Sequence, residues 1–417
     1  MSDPCRIRPE IMAPAGNWAA LTAAAQAGAG SVYFGVGKLN MRAHAAHNFT
    51  RDDLQDVAAF CQKHGMRSYL TVNTIFYDQD LEELKVLLQA ARRAGISAVI
   101  ASDMAAILEA RSRGIEVHIS TQLNVSNIEA LAFYAQYAEV VVLARELTLD
   151  QIKAIAGEVK ERRITGPSGN LVRLELFCHG ALCMAVSGKC YLSLHEYNKS
   201  ANRGSCYQIC RRSYTAKDDE TGAELRVDNK YIMSPKDLCT VTFLDKILDA
   251  GIDILKIEGR ARSAEYVKVT VQAYSRAVDA IMEGTYSPAL AAQLEEHLRT
   301  VFNRGFWGGY YLGEKLGQWS EAYGNQATQK KTYVARVTNY YSKPGVAELK
   351  VEAVPLHVGD KILIIGPTTG VLEETVREIR LEDETVVQTA PQGSLCSIPI
   401  KEKLRRSDKV YLVEEVV

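Results

Sequence analysis

No stretch of this chain of 417 residues approaches the roughly 20 apolar residues that a bilayer-spanning helix needs, so no membrane anchor is expected. Net charge is missing too: Lys and Arg number 49 and Asp and Glu 50, which leaves -1. Without a global basic field, any nucleic-acid partner has to be held by local patches. The first residues, MSDPCRIRPE, lack the charged-then-apolar pattern of a secretory leader, and the expected compartment is a reducing cytoplasm, where disulfides do not persist. There is no H-E-x-x-H, no G-x-S-x-G, no P-loop and no G-x-G-x-x-G. Metalloprotease, α/β-hydrolase and dinucleotide-binding chemistry therefore have no motif support.

What the chain does have is a concentration of cysteine. Five of its nine cysteines fall between Cys178 and Cys210, and a sixth, Cys239, follows in SPKDLC. Six residues separate Cys183 from Cys190, fifteen separate Cys190 from Cys206, and three separate Cys206 from Cys210. Gly180, Gly188 and Gly204 lie between them, as ligands on tight turns would require. Structural zinc favours paired short spacings, and only Cys206 with Cys210 provides one. An iron–sulfur cluster accepts thiolates from separate loops, so the spacing leans that way while leaving zinc open.

Ahead of this cluster, EIMAPAG, SVYFGVG, RSYLTVN, SAVIAS, EVHISTQ, EVVVLAR and VRLELFC read as seven strands separated by helical segments. Asp103 and Ser126 are plausible helix N-caps. After the cluster KDLCTVTFLDKILDA reads as a helix and GIDILKIEGR as an eighth strand, which together predict a (β/α)8 TIM-like barrel with a cysteine-rich insertion after strand seven. Chemistry in such barrels sits where the strands end. Those ends carry Asn73, Gln122, Arg145 with Glu146, Cys178 with His179, and Lys256 with Glu258 and Arg260; Arg42 follows the second strand. Arg42, Asn73, Gln122, Arg145 and Arg260 are the expected binders of a small anionic substrate, the guanidiniums because they grip carboxylates bidentately. Glu146 and Glu258 are candidates for catalytic roles that the residues do not assign. His44 and His47 read as packing or surface residues. Cysteine proteolysis by the neighbours Cys178 and His179 meets a geometric objection, since adjacent side chains on a strand point to opposite faces.

Beyond residue 330 the period shortens to alternating runs such as TYVARVTNYY and DKILIIG, separated by turn residues. This predicts two domains, 1–330 holding the cysteine cluster 178–239, and 331–417 forming a small all-β barrel.

The runs ELFCHGALCMAVSGKCYLS and ANRGSCYQICRRSY resemble the signature of peptidase family U32, and the opening MAPAGNWAALTAAAQAGAGSVYFGVGKLNMRA and later ILKIEGRARSAEYV resemble that family's first and last barrel strands. The resemblance covers nearly the whole chain. Members carry a collagenase-like peptidase label, but better understood ones are tRNA or rRNA hydroxylation factors and ubiquinone-hydroxylation proteins that hold a 4Fe–4S cluster. Length and the appended segment look most like the tRNA 5-hydroxyuridine proteins, which use prephenate rather than oxygen. The resemblance implies a tRNA uridine hydroxylase with tRNA as partner, prephenate as co-substrate, and Cys183, Cys190, Cys206 and Cys239 as cluster ligands. Cys239 enters that set on the resemblance alone, and Cys210 is the reserve. A peptidase or an assembly factor is the alternative, and the oligomeric state stays open. RNA would be gripped by Arg203, Arg211 and Arg212 beside the cluster, Arg162 and Arg163 before the seventh strand, and the run Lys401 to Lys409, with Tyr207 and Tyr214 as base-stacking platforms.

Overall fold

Runs of β-branched residues alternate with amphipathic segments as far as Ile257, and in the computed structural model they become eight parallel strands that close on themselves. The structure describes residues 7–44, 46, 48–217, 219–222, 224–225, 233–315, 317–320 and 324–416; His47 lies outside them. The strands are β1 (Glu10–Pro14), β2 (Ser31–Gly35), β3 (Arg67–Val72), β4 (Ala98–Ala101), β5 (Glu116–Ile119), β6 (Val140–Val142), β7 (Arg173–Gly180) and β8 (Ile254–Ile257). Closure is explicit in the register, because Ile254 pairs in parallel with Glu10 of β1 on one side and Glu175 of β7 on the other.

Six helices fill the crossovers from β1 to β7, and local chemistry sets where several begin. The Asp103 carboxylate accepts from the Ala105 amide at 2.9 Å and starts Met104–Ser112. The expected cap at Ser126 is displaced by one residue: Asn127 accepts from the Ala130 amide and starts Ile128–Ala135. A larger departure follows the cluster. Asp237–Cys239 is a short strand antiparallel to β7, pairing Cys239 with His179, and the helix begins only at Leu244. β7 is the longest barrel strand and offers backbone groups beyond its neighbours, so pairing with that edge overrides a segment whose apolar run has no decisive period.

The outward faces of the strands, with Ile11, Val32, Phe34, Leu70, Val99, Val117 and Leu255, pack under the helices in one apolar shell. The barrel interior differs from the usual layers of branched aliphatics. Met12, Tyr33, Tyr69, Ile100, Val140 and Ile254 share it with a buried ionic column. The Lys256 ammonium lies 2.6 Å from the Glu175 carboxylate, and His118 Nε2 lies 3.0 Å from Glu116, which also pairs with Arg67.

From Gln329 onward an antiparallel sheet of eight strands curls so that Ile362, Ile379, Cys396, Ile398 and Val410 meet in one separate core. This all-β region rests on the helix Trp18–Gln26 and on Ala264–Glu283. Ala23, Ala264 and Val371 form the apolar seam, the Thr22 hydroxyl donates to the Pro367 carbonyl at 2.7 Å, and Lys268 meets Glu373 at 3.2 Å. Among the described residues no helix is long and apolar enough to cross a membrane.

Candidate functional site at the barrel mouth

The insertion after β7 folds back over the C-terminal ends of the strands and roofs a cavity of about 290 Å³. Its attachment explains the glycines. Gly188 lies against Gln122, where a Cβ would come within 2.9 Å of the Gln122 Cβ, and the Asn124 side chain donates to the Ser187 carbonyl at 3.0 Å. Gly204, at φ +88°, lies against the Asn40 carbonyl, 2.6 Å from where a Cβ would stand. Polar ties add to the seat: Arg145 donates to the Ser187 hydroxyl at 2.7 Å, Arg203 pairs with Asp80 at 2.8 Å, and the Ile75 amide donates to the Asn202 carbonyl at 3.2 Å.

All five expected binding residues, Arg42, Asn73, Gln122, Arg145 and Arg260, line this cavity. Arg42 is not free. It makes two hydrogen bonds to one oxygen of Glu258, at 3.2 and 3.0 Å, while the Tyr33 hydroxyl donates to the other at 3.2 Å. Burial alone would raise the Glu258 carboxyl, but the guanidiniums of Arg42 and Arg260 hold it below the ordinary value, so Glu258 is an anion that fixes Arg42. Arg260 is 3% exposed and donates to Thr71 Oγ1 at 2.6 Å. Burial, against the pull of Tyr33 and Glu258, lowers its pKa to about 10. Arg145 stacks over Phe177 at 5.4 Å. Among the described residues neither Arg145 nor Arg260 has a carboxylate at salt-bridge distance.

The other glutamate candidate does not line this cavity. Glu146 is exposed and faces a small recess with Trp307, Tyr310 and Trp319, because the chain turns outward straight after Arg145. Conversely Tyr33 and Lys256 line the cavity, and the strand sequences carried a signal for them. Alternation in EVHI, RLELF and ILKI puts Glu116, His118, Arg173, Glu175 and Lys256 on one face, the inward one.

Cys183, Cys190, Cys206 and Cys210 line the same cavity. Their thiols feel one another, since the other three perturb Cys210, which burial pushes up to about 11. Cys239 is not among them. It sits on the strand behind β7, where burial pushes its thiol up to about 12 and its surroundings are Cys178, Tyr274 and Glu295. Cys210, the reserve candidate, lines the cavity with Cys183, Cys190 and Cys206, whereas Cys239, paired with His179 across the strands, is buried outside it. Among the described residues no three His, Cys, Asp or Glu side chains stand together closely enough to hold one ion. Tetrahedral zinc would draw its thiolates to about 3.8 Å from one another, given Zn–S near 2.3 Å. Four cysteines lining one cavity offer the thiolate donor set that an iron–sulfur cluster takes.

Cys178 and His179 are both buried, and neither lines the cavity. The Cys178 thiol donates to the Lys256 carbonyl at 3.4 Å, and the His179 ring lies against Tyr274 and Phe306. Burial and then Arg262 lower the His179 pKa to about 3. The expected RNA grips fare unevenly. Arg211 turns inward to the Leu182 and Pro235 carbonyls, Arg203 is taken by Asp80, and Arg162 pairs with Glu129 at 2.6 Å. Arg212 stays at the surface over Tyr197 at 5.5 Å, while the Tyr214 hydroxyl donates to the Ile209 carbonyl. In the run from Lys401 to Lys409, Arg406 bonds the Thr338 carbonyl and Asp408 is buried.

The description peptidase family U32 matches residues 16–321. A Porphyromonas gingivalis protein named collagenase is 55% identical over 402 residues, covering 96% of this chain and 97% of its own. The tRNA hydroxylation protein P1 of Bacillus subtilis is 31% identical over 392 residues, 92% of this chain and 89% of that one. A 23S rRNA 5-hydroxycytidine synthase of Escherichia coli is 37% identical over 277 residues, 66% of this chain and 40% of that longer protein.

Proposed function

The chain belongs to peptidase family U32, and from that premise we propose that it is a cytoplasmic RNA-modifying enzyme that hydroxylates uridine in tRNA without oxygen, with a 4Fe–4S cluster and prephenate as co-substrate. One observation carries the reading: four cysteines face one cavity together with Arg145 and Arg260, neither of which has a carboxylate at salt-bridge distance among the described residues. The tRNA- and rRNA-hydroxylating names of two relatives support the RNA substrate.

Cys183, Cys190, Cys206 and Cys210 would hold the cluster. When bound, it supplies one-electron chemistry beside the substrate. The remaining work falls to this chain's own side chains. Arg145 and Arg260 would take the two carboxylates of the co-substrate, and the low dielectric around Arg260 strengthens that contact. Gln122 and Asn73 orient its polar groups. Glu258 keeps Arg42 extended across the mouth, and the insertion excludes water from the floor that Lys256 and Tyr33 form.

The collagenase-named relative favours a peptidase as the second reading. Against it stand the burial of Cys178 and His179 away from the cavity. The deciding experiment is mass analysis of tRNA nucleosides from a deletion strain, with and without the gene restored. Return of 5-hydroxyuridine on restoration is the expected result. Unchanged nucleosides, with casein or gelatin cleavage lost on Cys178→Ser, would establish the peptidase instead.

A further inference from the structure

Outside the roofed cavity runs a second groove of about 570 Å³, lined by Tyr207, Gln208, Arg211, Arg212, Phe302 and Arg304. Cys206, Gln208, Arg211 and Arg304 border both spaces, so the two adjoin, with one of the cavity-lining thiols at their shared edge. Beside the groove lies an uncommon surface. Tyr197 and Tyr207 are 41% and 49% exposed, and their rings stand 5.1 Å apart. Arg212 lies over the Tyr197 ring and also donates to its hydroxyl. From Met184 to Tyr214 the insertion carries Lys189, Lys199, Arg203, Arg211 and Arg212 against a single acid, Glu196.

We infer that this outer groove is the docking site of an unpaired RNA nucleotide, distinct from the inner cavity that takes the small anion; the inference rests on the RNA reading above. Exposed aromatic faces are the usual platform for bases not already stacked in a helix, and each stacked base contributes about 1–3 kcal/mol. Of the insertion's cations Arg203 is held by Asp80 and Arg211 by two carbonyls, which leaves Lys189, Lys199 and Arg212 to complement phosphates although the whole chain carries a net charge of -1. Gln208 stands at that shared edge in the left-handed region, φ +53° and ψ +38°, a conformation uncommon for a non-glycine residue. Its side-chain carbonyl accepts and its NH2 donates, a side-by-side pair that the N3–H and a carbonyl oxygen on the edge of a uracil match. The base thus lies on Tyr207, its edge meets Gln208, and its phosphate meets Arg212. The two reactants approach Cys206 from the two adjoining spaces.

The test is fluorescence anisotropy on the full chain with a labelled RNA hairpin bearing a uridine-rich loop, and with a fully paired duplex of equal length. Hairpin binding is expected to be tighter than duplex binding and to weaken about tenfold in Tyr207→Ala. Arg212→Ala should flatten the salt dependence by about one unit of slope. Iron content and the visible absorption of both variants should match the parent, which excludes misfolding. Parent binding with unaltered variants would overturn the docking site alone. No RNA binding by the parent would overturn it together with the RNA reading.

Discussion

Cys210 and Cys239 are equally cysteine in the sequence, yet burial and strand pairing give them opposite environments. Cys210→Ser is expected to abolish most of the iron and sulfide of anaerobically purified protein, while Cys239→Ser keeps both and costs about 1–3 kcal/mol of stability by placing a hydroxyl in the core. Iron retained by Cys210→Ser and lost from Cys239→Ser would reverse the assignment. His179 makes a pH prediction. Its folded pKa near 3 lies below the ordinary 6.5, so between those values the unfolded chain binds the extra proton. Stability from this group is complete above about pH 6.5 and falls by up to about 1.4 kcal/mol per unit as pH drops toward 3. His179→Phe should shallow the acid limb of a denaturation-midpoint series; an unchanged slope would assign that limb elsewhere.

At the scale of elements, the insertion is held by close approaches that leave no room for a side chain. Gly204→Ala should cost about 1–3 kcal/mol in the seating of the roof, from its clash with the Asn40 carbonyl and its positive φ. The expected phenotype is lost cluster with barrel secondary structure intact, read by iron analysis beside far-ultraviolet circular dichroism. The glycines were legible as turn residues, whereas the partner each one admits was not, because Asn40 and Gln122 come from loops far away in the chain. The segment from Asp237 to Leu244 shows the same limit. Its apolar run suits strand or helix, and only the free edge of β7 decides.

For the whole molecule, the all-β region and the barrel share a small seam made of Ala23, Ala264 and Val371 with a few polar ties. Deleting residues 331–417 is expected to weaken tRNA binding and modification while the iron content stays. It should also lower the thermal midpoint, because the faces of two helices become exposed. Full modification by the shortened chain would remove the appended region from RNA recognition.

By itself the sequence determined the order and type of nearly every barrel element, since outside the segment from Asp237 to Leu244 the period of its apolar residues follows the change from strand to helix. It also placed Arg42, Asn73, Gln122, Arg145 and Arg260 at strand ends, which barrel closure gathers into one mouth. Only the tertiary structure decided which cysteines converge, that Glu146 turns outward, that Arg211 turns inward, and that Glu175 and Lys256 pair inside the barrel. Local periodicity reports which face of an element a residue occupies. What stands opposite that face depends on ring closure and on the path of an irregular insertion, and neither leaves a repeat in the sequence.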